Sequence, residues 1–322
     1  MMWPVAHAAV SIDRISIEGL PDNSPNSFGI AVGLGVGFNV VNEIIYTGEL
    51  PRSSAVFDYY FLTGSLTVRN SSFKMAIDGV STDGFRRNNV VTIGGSRSAG
   101  NFFEDVYVGI DMETSESSTF DISYNQSSGL SYGMWVVPWQ PVFVPATPSH
   151  YVIHDNKFTT TGPQAKGIFL QDNPVEPWIH ATIYNNTIGP TQNSLLDGIG
   201  ANNTQNATIW NNTISGTAVD AIGLHGTSFS TVVRNKVGDL TLDPTYGLAQ
   251  IYLDPTSSLN LLVCSSRDDT VIDKGTMNEV IGCEESTGSA QAAPAASTAH
   301  LAVTRPNPPR TKTPLDVQAV TK

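Results

Sequence analysis

Ala181-Thr-Ile-Tyr-Asn-Asn-Thr-Ile188 and Ala207-Thr-Ile-Trp-Asn-Asn-Thr-Ile214 are one phrase written twice, with a single aromatic exchanged. Its skeleton is an apolar residue, two others, Asn, one other, and an apolar residue. The skeleton returns at Ile153-His-Asp-Asn156-Lys-Phe158 and Val232-Val-Arg-Asn235-Lys-Val237, and in part at Ile122…Asn125. Weaker copies are Val68-Arg-Asn-Ser71-Ser-Phe73 and Ile15-Ser-Ile-Glu18-Gly-Leu20, and Asn42, Asn101, Asn260 and Asn278 also stand two places before an apolar residue. Taken in order, these slots run from 18 to 278 at intervals of 18 to 31 residues, with a mean of 26. A regular mean with variable detail does not suit helical repeats of fixed length. It suits a solenoid whose strands are constant and whose loops vary.

A second pattern follows most slots, a Gly and then an apolar residue: Gly29-Ile30, Gly109-Ile110, Gly133-Met134, Gly167-Ile168, Gly198-Ile199 and Gly247-Leu248, with Ala76-Ile77 and Ala221-Ile222 as variants. Each repeat therefore carries at least two short alternating strands separated by Asn or Gly turns. Stacked in parallel about 4.8 Å apart, such repeats bury Ile, Val and Phe in columns. They also place Asn above Asn, where side-chain amides bond to one another and Asn tolerates the left-handed turn.

These residues resemble the right-handed parallel β-helix superfamily with the pectin-lyase-like fold, over about residues 11–283. The expected architecture is all-β: a right-handed, single-stranded parallel β-helix of about ten coils over 11–285, after an unstructured or truncated start at 1–10. A disordered Ala/Pro/Ser/Thr-rich tail is expected at 286–322. The low charge and the Asn, Ser and Thr content are similar in style to secreted fungal members. The superfamily includes pectate lyases, polygalacturonases, pectin methylesterases, uronan epimerases and phage tailspikes, so the resemblance implies a fold and a carbohydrate-directed class, and no single reaction. Polygalacturonase and pectate lyase motifs do not carry over. Asp268-Asp269 lacks its companion motifs, and Gly223-Leu-His225-Gly226 is not Gly-His-Gly.

Composition narrows the function. Of 322 residues, 14% are charged, and 17 Lys and Arg against 29 Asp and Glu give a net charge of −12. A nucleic-acid partner is excluded on that balance, because phosphate neutralisation needs clustered cations. No stretch is long and apolar enough to span a bilayer. With no positively charged leader before the first strand pattern, either the protein is cytosolic or its true start is missing; the second is expected. The expectation is a secreted monomer that acts on or binds polysaccharide as a lyase or hydrolase, the alternative being a non-catalytic glycan-binding or cell-wall structural β-helix protein, or a truncated member without activity. Six Asn-x-Ser/Thr sequons are present, of which Asn202 and Asn206, placed between strands, are the better glycan acceptors. Cys264 and Cys283 are either a disulfide pinning the last coil or two buried thiols.

Aligning on the Gly-apolar pairs gives outward columns. One reads Asp78, Asp111, Trp135, Phe169, Gly200, Gly223 and Ala249; another reads Val80, Glu113, Val137, Gln171, Asn202, His225 and Ile251. Glu113, Trp135, Phe169, Gln171 and Asn202 are thus candidate substrate-binding residues, since sugars stack on aromatic rings and bond to polar groups. The alternative is that Trp135 and Phe169 lie under the Pro-rich run 138–148. A third column reads Tyr132, Lys166, Asp197, Asp220 and Tyr246. Carboxylates in adjacent coils push one pKa up and can serve as acid and base or nucleophile. Lys166, Asp197, Asp220 and His225 are therefore the candidate catalytic set. Against this, the column shares parity with the inward Ile, which would make these turn residues. Asp172 and Asp254, ending strands, are turn formers or else Ca²⁺ ligands. No metal-binding loop and no organic cofactor motif is visible.

Overall fold

The computed structural model describes residues 7–285 other than 19–26, 34–35, 49–52, 60–63, 84–87, 114–115, 131, 138–146, 161–164, 173–178, 190–196, 217–219, 239–248 and 268. The C-terminal segment 286–322, most of the Pro-rich run and Tyr246 lie outside the described residues.

The strands form three sheets, paired in parallel throughout. Sheet A has 11 strands, from His7–Asp13 to Glu279–Ile281; sheet B has nine, from Ser16–Glu18 to Lys236–Val237; sheet C has 11, from Ser27–Gly33 to Glu284–Glu285. Successive strands of the chain visit A, B and C in turn as far as Ile251–Leu253 and alternate between A and C after it, and each pairs with the strand one rung on. This is a right-handed parallel β-helix. The first strand begins at His7, ahead of the start expected at 11.

The interior is built of columns. Sheet A stacks Ile93, Ile122, Ile153, Ile183, Ile209 and Val232, sheet C stacks Ile110, Met134, Ile168, Ile199 and Ile222, and all are buried. Flat rings stack the same way: Phe120 and Tyr151 lie 4.3 Å apart at 4°. In-register parallel pairing makes this possible, because it puts like residues above like.

Between sheets A and B runs a buried amide ladder. Asn101, Asn125, Asn156, Asn186, Asn212 and Asn235 occupy successive rungs, each 5% exposed or less. Each Nδ2 donates to the Oδ1 of the next Asn at 2.9–3.0 Å. The same Oδ1 accepts the backbone N–H of the rung before, as in Asn125 N to Asn156 Oδ1 at 2.9 Å. A second bond from Nδ2 reaches a main-chain carbonyl, as from Asn156 to Ile122 O at 2.8 Å. The ladder residue is not the left-handed one. From Asn125 onward that role falls to the residue before it: Tyr124, Asp155, Asn185, Asn211 and Arg234 have φ between 53° and 60°, and Asn70, before Ser71 in the same column, has φ 52°.

Four slots expected in this column lie elsewhere. Glu18 is exposed at the end of the sheet B strand Ser16–Glu18, opposite Thr47. Asn42 is half-buried and bonds to Asp13, while the column passes through Ile44, whose N–H donates to Ser71 Oγ. Asn260 and Asn278 belong to a different ladder, between sheets C and A, in which Ser230 N–H donates to Asn260 Oδ1 and Asn260 N–H to Asn278 Oδ1. The two turns need the same chemistry, an acceptor for a buried N–H, so their local sequences look alike. Cys264 and Cys283 are bonded, their Cα atoms 5.4 Å apart, across the last rungs.

Removing one amide of the ladder strands several partners at once. Asn156→Ala takes an acceptor from Asn125 N–H and Nδ2 and a donor from Ile122 O and Asn186 Oδ1. We expect a loss of at least ~3 kcal/mol in chemical denaturation, against less than ~1 kcal/mol for Asn42→Ala, whose bonds are exposed.

Candidate functional site

The chemistry-bearing residues meet on the outer face of sheet C. Two columns cross that face. In register, the first is Asp111, Trp135, Phe169, Gly200, Gly223 and Tyr252; the second continues from Gln171 to Asn202 and His225. Tyr252, not Ala249, follows Gly223, because the repeat's apolar residue in that rung is Ile251 rather than Leu248. At the other end Ser81, not Asp78, faces Asp111. Both misplacements came from Gly or Ala-apolar pairs lying three residues before the true strand position.

Lys166, Asp197 and Asp220 stand at the starts of successive sheet C strands. The parity argument places them inward, yet they lie against the outer face. The cause is visible at Lys166 and at Tyr132 one rung before it, each of which is followed by a glycine. Pairing skips the glycines: Tyr132 pairs Lys166 and Met134 pairs Ile168, with Gly133 and Gly167 left out of the register. A Cβ on Gly167 would stand 2.4 Å from Gly198 O and 2.7 Å from Ile188 Cγ2. That close approach breaks the pleat, and alternation restarts after it.

The floor of the site is also glycine. A Cβ on Gly200 would lie 2.7 Å from Asp197 Oδ2 and 2.9 Å from Phe169, and one on Gly223 would lie 2.8 Å from Asp197 Cγ. The Asp197 carboxylate therefore rests on bare backbone, with Phe169 on one side and Tyr252 on the other. Lys166 Nζ reaches Asp197 Oδ2 at 3.7 Å and sits 3.5 Å over the Phe169 ring. One ligand atom each from Asp197, Asp220 and His225 lie within 4.8 Å of one another. His225 is half-buried and contacts the Tyr252 ring at 5.5 Å.

Burial drives the electrostatics. Asp220 is 5% exposed, and loss of hydration followed by the Asp197 charge pushes its carboxyl up to about 8, against a bond from Ala249 N–H that lowers it. Burial pushes the Lys166 ammonium down, and Asp197 and Asp220 oppose that. Tyr132, stacked on Trp135 at 5.1 Å, is driven by burial up to about 12.

The candidate binding residues divide. Gln171 is exposed, Trp135 and Asn202 are half-buried, and Phe169 and Glu113 are buried, Glu113 two rungs before Gln171. Asn202 ends the strand Ile199–Asn202 instead of lying between strands; its Oδ1 and Trp135 Nε1 are buried without a hydrogen-bond partner among the described residues. Asn206 is exposed in the turn beyond. Asp172 and Asp254 are engaged in turns, Asp172 accepting from Ile179 N–H and Asp254 from Gly226 N–H, Thr256 and Ser257.

A family model described as "Periplasmic copper-binding protein (NosD)" matches residues 63–253, more than half of the chain. The chain belongs to the NosD family. The matched region of this NosD-family chain contains Lys166, Asp197, Asp220 and His225. Among solved structures, the A-module of the mannuronan C-5 epimerase AlgE6 from Azotobacter vinelandii is similar over 80% of this chain and 86% of that one, at 13% identity and a TM-score of 0.28. No curated protein matches the chain.

The raised Asp220 pKa has a stability consequence. Below 3.8 both folded and unfolded carboxyls hold the proton; as pH rises from there toward about 8 the unfolded chain ionises first, and this contribution to stability is lost. Asp220→Asn is therefore expected to melt several degrees above the parent at a pH of about 8 to 9, with the gap closing near a pH of about 4. Thermal melts across that range check it.

Proposed function

We propose that the sheet C face binds an extended polysaccharide and performs acid–base chemistry on it, outside the cytoplasm, from one β-helix domain spanning about residues 11–285. The observation that carries the proposal is the buried Lys166–Asp197–Asp220 cluster on a glycine floor between Phe169 and Tyr252. Aromatic walls suit sugar CH faces. The buried Trp135 Nε1 and Asn202 Oδ1, without partners among the described residues, are a donor and an acceptor for hydroxyls. The extended sheet face, with neighbouring rungs about 4.8 Å apart, offers a polymer several contacts in line.

The two carboxylates favour hydrolysis. Asp220, protonated near neutral pH, donates its proton to the leaving glycosidic oxygen as that bond to the anomeric carbon breaks. Asp197, within the 4.8 Å cluster, has the close spacing at which the second carboxylate adds to that carbon as nucleophile. Water then attacks the same carbon, Asp220 takes the water's proton, and Asp197 leaves. Lys166 holds Asp197 in place and balances its charge. The disulfide supports an oxidising compartment, and the family's printed description names a periplasmic protein.

That description also names copper. The sheet C cluster does not fit it. Its donors are two carboxylates and one imidazole, with a lysine ammonium beside one carboxylate, and both cysteines are in the disulfide. Copper(I) selects thiolate and thioether ligands, which the cluster lacks, and the Lys166 ammonium 3.7 Å from Asp197 already occupies the place of a cation beside that carboxylate.

The test is a panel of pectin, polygalacturonate, alginate and β-glucans, following new reducing ends together with the ultraviolet absorbance of unsaturated products. Reducing ends without absorbance are expected, falling about 10²–10⁴-fold in Asp220→Asn. Absorbance growing with the reducing ends would replace hydrolysis by β-elimination. Silence in both, with polysaccharide retention that is lost in Trp135→Ala, would leave the face a glycan-binding surface alone.

A further inference from the structure

The rungs that carry the sheet C cluster are poor in cations. Between Val108 and Asp254 the sequence holds twelve Asp and Glu against four Lys and Arg, namely Lys157, Lys166, Arg234 and Lys236. Three of the four lie elsewhere on the coil. Lys157 and Lys236 open the sheet B strands Lys157–Thr160 and Lys236–Val237, and Arg234 is exposed at the corner between sheets A and B. The segments of these rungs that lie outside the described residues contain no Lys or Arg in their sequence.

That leaves Lys166, and its ammonium is already engaged. It is buried, 3.7 Å from Asp197 Oδ2 and 3.5 Å over the centre of the Phe169 ring. The same face carries the buried Asp111, Glu113, Asp197 and Asp220, and Asp254 follows the strand Ile251–Leu253. The next cation along it, Lys274, lies one rung beyond Tyr252, 5.7 Å from that ring and directly after Asp273. The groups left to meet a ligand are neutral. They are the Trp135 and Tyr252 rings, the exposed Gln171 amide, and the buried Trp135 Nε1 and Asn202 Oδ1 that have no hydrogen-bond partner among the described residues.

We infer that the polysaccharide taken by this face is built of sugars without carboxylates, and that polyuronides are turned away by charge; this rests on the proposal that sheet C is the binding face and names its substrate class. A polyuronide brings one carboxylate per sugar. Seating several sugars along the rungs presses several anions onto a face that is itself acidic, and like charges held close with little water between them repel strongly. A carboxylate is recognised by a guanidinium, an ammonium or a set of N–H donors. The one ammonium among the described residues of these sheet C rungs is turned to Asp197. A neutral sugar asks for what the face has: ring surfaces for its CH groups, and a donor and an acceptor for its hydroxyls.

The test is equilibrium binding of the full-length protein to two pairs of polymers, each pair sharing a backbone and differing in charge. They are methyl-esterified pectin against polygalacturonate, and hydroxyethyl cellulose against carboxymethyl cellulose, each in EDTA and again with Ca²⁺. In at least one pair the neutral polymer is expected to be retained and its carboxylated partner to bind at least ~10-fold more weakly. Trp135→Ala is expected to abolish that retention. Gln171→Lys, which sets an ammonium on the exposed part of the face, is expected to narrow the gap within the pair. A carboxylated polymer bound as tightly as its neutral partner, with or without Ca²⁺, and released in Trp135→Ala, would overturn the exclusion and leave sheet C as the binding face. A gap left unchanged by Gln171→Lys would do the same, because charge would not be its cause. Retention of no polymer, or retention indifferent to Trp135→Ala, would overturn the binding face itself and this substrate class with it.

Discussion

Every rung of this molecule must hand its unpaired hydrogen-bonding groups to the next. A parallel β-helix buries its corners as well as its strands, and each corner leaves an N–H facing inward with no strand partner. The Asn ladder answers that constraint. One side-chain oxygen accepts both a main-chain N–H and the amide of the rung before, and the side-chain nitrogen turns back to a carbonyl. Because each amide serves its neighbour, the ladder stabilises only when unbroken, and it ties the coils into a single cooperative stack. Ser71 opens the column by accepting from Ile44 N–H through its hydroxyl, and Ser265 Oγ closes it on Asn235 O.

The same stacking rule places the chemistry. Residues one coil apart in sequence become neighbours, so Lys166, Asp197 and Asp220 can be collected into one site by an in-register column without any long-range rearrangement of the chain. Glycine does the rest. At Gly133 and Gly167 it lets the backbone approach the next carbonyl, which releases the preceding residue to the outer face; at Gly200 and Gly223 it clears the floor on which Asp197 lies. Aromatic residues at the flanking rungs then form walls where the floor residues have no side chain.

Much of this was legible in sequence, for a physical reason. The repeat of Asn and of Gly-apolar pairs reflects contacts made once per coil, so it shows as period. The grouping of Lys166, Asp197, Asp220 and His225 followed from that period alone. What period could not give was phase. Asn260 and Asn42 mimic ladder residues because other corners and strand ends also use Asn, and Leu248 mimics Ile251 because a Gly-apolar pair can stand ahead of a strand as well as inside it. Tyr252 was missed for that reason.

The sheet C cluster carries an electrostatic cost that the apolar columns do not. Two carboxylates and an ammonium are held out of water where Ile or Val columns would stack at no electrostatic cost, and the neighbouring rungs show that this fold builds such columns readily. Burial, and then the Asp197 charge, raise the Asp220 carboxyl, and the opposing pull of Lys166, which lies beside Asp197, does not cancel them. The hydrogen bond from Ala249 N–H fixes that carboxyl without neutralising it. A solenoid can carry such a local penalty because its stability is a sum over rungs, and the coils on either side of Asp197 and Asp220 are pinned by Asn186, Asn212 and Asn235. The ladder on one side of the coil thus supports an unfavourable arrangement of charge on the other, and that division of labour lets one stack serve as both frame and site.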